Sequence, residues 1–124
     1  MWMVRILSEK KGARPVTEQQ VMCALDEMVQ RIVRRFHPEK IILFGSHARG
    51  ESGSDSDLDL LIVMPVESSR RAKANEIDLA LADRSVPVDV IVVTPDQFER
   101  QGEIPGSIVR EAVREGRVVY ERAA

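Results

Sequence analysis

The chain has 124 residues, enough for a single domain with one hydrophobic core and too few for two. Eighteen basic and twenty acidic side chains give a net charge of −2, and aromatic residues make up 4%, so we expect no direct nucleic-acid binding. No apolar run approaches the roughly 20 residues of a membrane helix, and the single cysteine, Cys23, suits a reducing compartment, so we expect a cytoplasmic protein without membrane attachment.

The N-terminal part of the chain predicts a tail followed by a long helix. Residues 1–16 lack sustained periodicity, so we interpret them as a tail or an added edge strand, and residues 17–124 as the domain proper. Thr17 opens a capping-box pattern, after which apolar residues recur every three or four positions. The predicted elements of the domain are, in chain order, a helix from Thr17 to Pro38, a strand at 41–44, a strand at 57–63, a helix at 67–84, a strand at 86–93, a helix capped by Thr94 and Pro95, a helix ending at Gly116 as its C′ residue, and a strand at 117–121.

This order of elements indicates the fold class. Helices alternate with short, largely apolar strands, and no internal repeat is visible. The sequence therefore predicts an α/β (α+β) fold, in which helices pack on a mixed sheet of about four strands.

Acidic residues occur within two of the apolar strands. Asp57 and Asp59 are two positions apart on one strand, so they share a face, with Cα atoms about 7 Å apart. Asp89 interrupts the apolar run 86–93, where a carboxylate is unfavourable unless it is paired. If the two strands are neighbours, the three carboxylates meet on one face, and such an oxygen ligand set is typical of magnesium.

The same carboxylates allow other interpretations. Asp57 and Asp59 would also suit the solvent face of a half-buried sheet, and Asp89 could pair with an arginine. An EF-hand loop beginning at Asp55 fails, because its Gly and Glu positions hold Leu60 and Val66.

A Gly-Ser turn follows the strand at 41–44. Gly45 lets a phosphate approach the backbone, and Ser46 offers a hydroxyl at the start of a predicted short helix through residues 47–49. The turn matches neither a P-loop nor a dinucleotide-binding fingerprint. Arg49 is a candidate phosphate ligand or partner contact, with an exposed surface arginine as the alternative.

Taken together, these residues resemble a known family. Gly45-Ser46, ten intervening residues, Asp57-Leu58-Asp59 and the later Asp89 resemble the signature of the polymerase-beta-type nucleotidyltransferase superfamily. Within it, the chain is most similar to the minimal nucleotidyltransferases of the MNT type, the antitoxin partners of HEPN-domain toxins.

The resemblance implies a site, a reaction and a partner. Asp57 and Asp59 would bind both ions of a magnesium pair, Asp89 would complete one metal site and help to deprotonate the attacking hydroxyl, and Gly45-Ser46 would hold the nucleoside triphosphate. The implied reaction moves AMP from ATP to a tyrosine of the HEPN toxin. Only about 35 residues follow Asp89, so we expect a second macromolecule to supply the acceptor side of the site.

Two other functions remain open on the sequence. The chain could neutralise a toxin by stoichiometric binding without catalysis, although its intact aspartate triad argues against a degenerate site. It could also modify a small molecule, as antibiotic-modifying relatives do, although no acceptor-binding domain is present in the sequence.

Overall fold

Five strands and four helices make up the described part of the chain. The computed structural model describes residues 2–6, 18–45, 58–67, 69–83 and 86–123. The elements are β1 (Trp2–Ile6), α1 (Glu18–Phe36), β2 (Lys40–Phe44), β3 (Leu58–Val63), α2 (Arg70–Ala80), β4 (Val88–Val93), α3 (Pro95–Gln101), α4 (Ile108–Glu115) and β5 (Arg117–Glu121).

The strands form one mixed sheet in the order β1-β4-β3-β2-β5. β3 and β4 are parallel, with α2 in the crossover between them, and the other neighbouring pairs are antiparallel. The predicted α/β fold is confirmed, with five strands in place of about four. The additional strand is β1, which pairs with β4 and corresponds to the edge-strand interpretation of the N-terminal residues. The predicted domain boundary at residues 16 and 17, with its Thr17 cap, lies outside the described residues.

The larger core lies on the face of the sheet that α1 and α2 cover. The predicted apolar stripe of the first helix is buried there, and each fully buried aliphatic side chain contributes about 1.5–3 kcal/mol. The stripe consists of Val21, Leu25, Met28 and Ile32, none more than 4% exposed, with Phe36 at its margin.

A smaller core lies on the opposite face, under α3 and α4. Val109 and Ala112 of α4 pack there against strand residues Ile42, Phe44, Leu61, Val63, Ile91 and Val93. Because side chains alternate along a strand, the acidic residues two positions before Leu61 and Ile91 belong to this second face. These residues are Asp59 and Asp89.

The second helix is shorter than the sequence predicts. Its predicted range was 67–84, whereas α2 spans Arg70–Ala80. The Ser69 hydroxyl accepts a hydrogen bond from the N–H of Ala72 at 3.2 Å, so the helix begins after this N-cap.

The caps of the last two helices differ in how well they were predicted. Thr94 and Pro95 cap and begin α3 as predicted. Gly116, predicted as the C′ residue, is instead the C-cap, with an extended backbone at φ −84° and ψ 174°. A Cβ there would lie 2.3 Å from the Ala112 carbonyl oxygen and 2.9 Å from that of Leu43, so the position needs glycine for lack of space.

No helix in the described ranges has the length and apolar character needed to cross a membrane.

Candidate metal and phosphate site

Three strand ends meet at one edge of the sheet. β3 and β4 start together, because the Leu58 N–H donates a hydrogen bond to the Pro87 carbonyl at 3.0 Å and Leu58 is in register with Val88. β2 runs antiparallel to β3, so its last residue, Phe44, pairs with Asp59. At this edge, the first residues of the parallel strands β3 and β4 therefore lie beside the turn that follows β2.

Asp59 and Asp89 are direct neighbours at this edge. They are register partners in the parallel pair of β3 and β4 and lie on the same face of the sheet. Asp89 is 7% exposed, and Asp59 is partly buried. Their backbones are one strand spacing apart, about 4.8 Å, and two like charges on neighbouring strands disfavour each other's ionised form. A site of this kind is stabilised by a cation.

Gly45 lies directly against one of these carboxylates. Its φ of 79° lies in the left-handed region, which is strained for residues with a side chain. A Cβ built on Gly45 would lie 2.3 Å from Oδ2 of Asp59. The residue at this position must therefore be glycine, both for its backbone conformation and for the space that the Asp59 carboxylate occupies.

The remaining predicted site residues lie outside the described residues. These are Asp57, Ser46 and Arg49, together with the predicted short helix through residues 47–49. Within the described ranges no cluster of three or more Asp, Glu, His or Cys side chains could hold a metal. Asp59 and Asp89 are the members of the predicted triad that lie among the described residues, and the assignment of all three aspartates to a metal site stays a prediction.

The described donors fit a hard divalent cation. Both are carboxylates, the ligands that magnesium takes together with water and phosphate oxygens. Their adjacent register positions direct both side chains to the same face, and Gly45 leaves room beside the Asp59 oxygen that a side chain would fill. A magnesium ion with open positions for phosphate therefore suits this edge of the sheet.

Other polar features of the described residues lie away from the carboxylates. An open depression of about 670 Å³ involves Lys40, Phe98 and Glu121, and another of about 540 Å³ runs along Arg110 and Arg114 of α4. Neither contains a predicted site residue. Arg31 and Asp83 form an ion pair between α1 and the end of α2, which lowers the pKa of the Asp83 carboxyl and raises that of the Arg31 guanidinium.

Sequence reasoning missed two features of the site. The contact between Gly45 and Asp59 links residues fourteen positions apart, and no local pattern indicates it. The position of β1 beside Asp89 was also missed, because β1 and β4 are far apart in the sequence and no local pattern indicates which strand an N-terminal strand will join.

Residues 25–119 match the sequence profile of the family described as the nucleotidyltransferase domain. The chain belongs to this family. This nucleotidyltransferase is also 35% identical over 102 residues to a protein of Methanocaldococcus jannaschii whose name assigns it protein adenylyltransferase activity by inference. The match covers 78% of this chain and 95% of that relative.

A solved structure shows the same fold. A crystal structure from Sulfolobus solfataricus, named by inference as a nucleotidyltransferase, matches with a TM-score of 0.61 and 20% identity, over 85% of this chain and 84% of that one. A toxin–antitoxin structure with AMP-PNP matches with a TM-score of 0.44 and 19% identity, over 86% of this chain and 75% of that one, a likeness too low to support an argument about function.

Proposed function

We propose that this nucleotidyltransferase transfers AMP from ATP to a tyrosine hydroxyl of a HEPN-domain toxin, and so acts as the antitoxin of a toxin–antitoxin pair. The name of the M. jannaschii relative supports a protein acceptor, because 95% of that relative is matched. The HEPN partner rests on the resemblance of the Gly45-Ser46 turn and the aspartates to the MNT type. We expect the pair in the cytoplasm, in keeping with the single cysteine of the chain.

The observation that carries the proposal is the carboxylate pair at the sheet edge. Asp59 and Asp89 are register partners on one face. Gly45 has no side chain, and the Asp59 carboxylate occupies the space that a side chain there would need. Two neighbouring acids, one of them 7% exposed, are uncommon in an otherwise apolar part of a sheet, because burial and like charge both disfavour the ionised form. A phosphoryl-transfer site needs them, because its cations require oxygen ligands.

In the proposed reaction, the tyrosine oxygen attacks the α-phosphorus of ATP in line with the bond to the leaving pyrophosphate. That bond breaks as the new oxygen–phosphorus bond forms, and Asp89 accepts the proton of the hydroxyl. Asp57, Asp59 and Asp89 would hold two magnesium ions. When bound, these ions would offset the negative charge on the attacking and leaving oxygens.

The other residues of the site position the nucleotide. Gly45 and Ser46 would hold the triphosphate through backbone N–H groups and the serine hydroxyl, with Arg49 as a further phosphate ligand. Gly45 lies beside Asp59 on the β2 side, and β4 with Asp89 lies on the other side. Because attack is in line, the leaving group would point toward β2, and the acceptor hydroxyl would approach from the side of β4.

The test is AMP transfer to the toxin. The chain is incubated with magnesium, ATP labelled at the α-phosphate and the HEPN-domain toxin, and label on the toxin is measured. We expect Asp59→Asn and Asp89→Asn each to reduce the transfer rate at least 100-fold without loss of the fold, because each removes a metal ligand. Glu103→Gln, which removes an exposed acid outside the site, should retain the wild-type rate.

The same variants separate catalysis from simple binding. If the proposal is right, Asp59→Asn fails to protect cells from the toxin although it still folds. Full protection by Asp59→Asn would instead support a non-catalytic antitoxin. Transfer of label to a small-molecule drug without any partner protein would support the antibiotic-modifying alternative.

A further inference from the structure

Basic side chains are concentrated where α1 ends and α2 begins. α1 has two arginines in its last turn, and α2 begins with an arginine, has a lysine as its fourth residue and has no acid in its first turn. Phe36 joins the two groups, because the Arg35 guanidinium carbon lies 6.0 Å from the centroid of its ring and the Lys73 ammonium 5.8 Å. This basic surface consists of Arg34, Arg35, Arg70 and Lys73.

Both helix ends carry more positive charge than the helices themselves can use. At the end of α1, Arg122 already donates a hydrogen bond to the His37 carbonyl, so Arg34 and Arg35 add to a terminus that has a cation. At the start of α2, the basic residues lie at the positive end of the helix dipole, where acidic side chains are favoured. Nη1 of Arg70 is buried and has no hydrogen-bond partner among the described residues. An external anion would therefore stabilise both ends.

The excess of positive charge is local to this surface. Glu76 offsets one charge through its ion pair with Lys73 at 3.1 Å, whereas the three arginines form no ion pair with a described acid. α4 differs, because its two arginines alternate with two glutamates along the helix. The whole chain has a net charge of −2, so the basic surface makes the molecule electrostatically asymmetric.

The basic surface lies at the end of the sheet opposite the carboxylates. Three residues separate α1 from β2, which runs from Lys40 over about 13 Å to Phe44, the register partner of Asp59. α1 and α2 also cover the face of the larger core, whereas Asp59 and Asp89 belong to the other face. A partner bound to the basic surface therefore leaves the carboxylate edge open to nucleotide and metal.

We propose that the basic surface docks an acidic surface of a partner protein, at a distance from the residues that carry out the reaction. This inference rests on the proposed function, in which that partner is the toxin that accepts AMP. A folded domain of about 100 residues is roughly 30 Å across, so one partner is large enough to extend from the basic surface to the carboxylate edge. Docking and transfer then depend on different residues of this chain.

An acidic protein surface fits these residues better than a nucleic acid does. A polynucleotide carries a phosphate every few ångströms and is bound by basic residues along a continuous path. Here the path is short, because exposed acids occur farther along both helices, Asp26 and Glu27 on α1 and Glu76 on α2. A discrete group of carboxylates on a folded protein needs only the few cations that are present.

The binding test compares Arg35→Glu with Arg114→Glu. Each replaces an exposed arginine in the last turn of a helix, so the change in charge and the loss at the helix end are matched. Calorimetric titration with the HEPN-domain toxin measures the dissociation constant. We expect Arg35→Glu to weaken binding about tenfold and Arg114→Glu to stay within about twofold of the wild type, with a smaller difference between them at high salt.

The kinetics of AMP transfer separate docking from a structural role. Arg35→Glu should raise the KM for the toxin about tenfold and leave kcat unchanged, because the carboxylates are untouched. A lower kcat at unchanged KM overturns the inference, and so does toxin binding by Arg35→Glu that is as tight as binding by Arg114→Glu. Arg34→Glu, in the same turn, repeats both measurements if Arg35→Glu folds poorly, and wild-type affinity in that variant also overturns the inference.

Further outcomes concern nucleic acid and the proposed reaction. We expect a single-stranded RNA of about 20 nucleotides to show no saturable binding at about 150 mM salt, and RNA binding that Arg35→Glu abolishes overturns docking of a protein. A toxin complex that Arg35→Glu weakens, without AMP transfer by the wild type, supports docking and overturns the proposed reaction. AMP transfer with the same KM in the wild type and in Arg35→Glu overturns docking alone.

Discussion

Gly45 meets two separate demands, and a matched glycine allows them to be separated. Its φ of 79° and the 2.3 Å approach to Asp59 Oδ2 each oppose a side chain. Gly106 has a φ of 84°, but a Cβ there would meet nothing within 4 Å. Substitution at Gly106 therefore measures the conformational cost alone, about 1 kcal/mol.

We expect Gly45→Ala to destabilise the protein by about 2–3 kcal/mol and Gly106→Ala by about 1 kcal/mol, measured by urea unfolding. Because the added methyl group displaces the Asp59 carboxylate, Gly45→Ala should also lose the stabilisation by magnesium and ATP, whereas Gly106→Ala should keep it. Equal effects of the two substitutions on stability and on ligand binding would show that the contact with Asp59 has no consequence.

The elements show which parts of the structure can be predicted from sequence. The α1 stripe and the Thr94 and Pro95 cap depend on local patterns, so periodicity and capping rules identify them. Alternation along β3 and β4 gave the faces of Asp59 and Asp89, but only the sheet order makes the two neighbours. The role of Gly116 depends on the β2 backbone beside it, which no local pattern specifies.

One contact between elements gives a pH dependence. Arg31 on α1 donates hydrogen bonds to the Ala80 carbonyl at 3.1 Å and to the Asp83 carboxylate, so it joins α1 to the end of α2. The hydrogen bond and charge of Arg31 hold the pKa of Asp83 below its usual value of 3.8. A carboxyl group with a lowered pKa in the folded state stabilises the fold above its unfolded pKa, and this contribution disappears as the pH falls through the folded value.

We therefore expect Asp83→Ala to be less stable than the wild type at pH 7 and the two to converge as the pH falls below about 4. Urea unfolding across this pH range measures the difference. Comparison of both single variants with the double variant Arg31→Gln, Asp83→Ala should give a coupling free energy between the two residues at pH 7. We expect salt to weaken this coupling and acid to remove it. A coupling that does not weaken as the pH falls through the acidic range would mean that the carboxylate charge is not its source.

At the scale of the whole molecule, the carboxylate edge should couple ligand binding to global stability. In metal-free buffer the repulsion between Asp59 and Asp89 opposes folding, so Asp59→Asn should raise the free energy of unfolding by about 1 kcal/mol in the presence of EDTA. Magnesium with the correct nucleoside triphosphate binds only the folded chain. At about 100 times its dissociation constant it should add about 2.7 kcal/mol to the wild type, a rise of about 10 °C in Tm.

Thermal unfolding with magnesium and each of the four nucleoside triphosphates tests this coupling and identifies the donor. We expect ATP alone among the four nucleotides to raise the Tm of the wild type, and EDTA to abolish this rise. Asp59→Asn should show no rise with ATP, but without ligand it should have a higher Tm than the wild type. The opposite signs of the two effects distinguish a site from a structural contact, because a structural acid would lower stability when removed. A wild-type rise that survives in Asp59→Asn would place nucleotide binding elsewhere on the molecule.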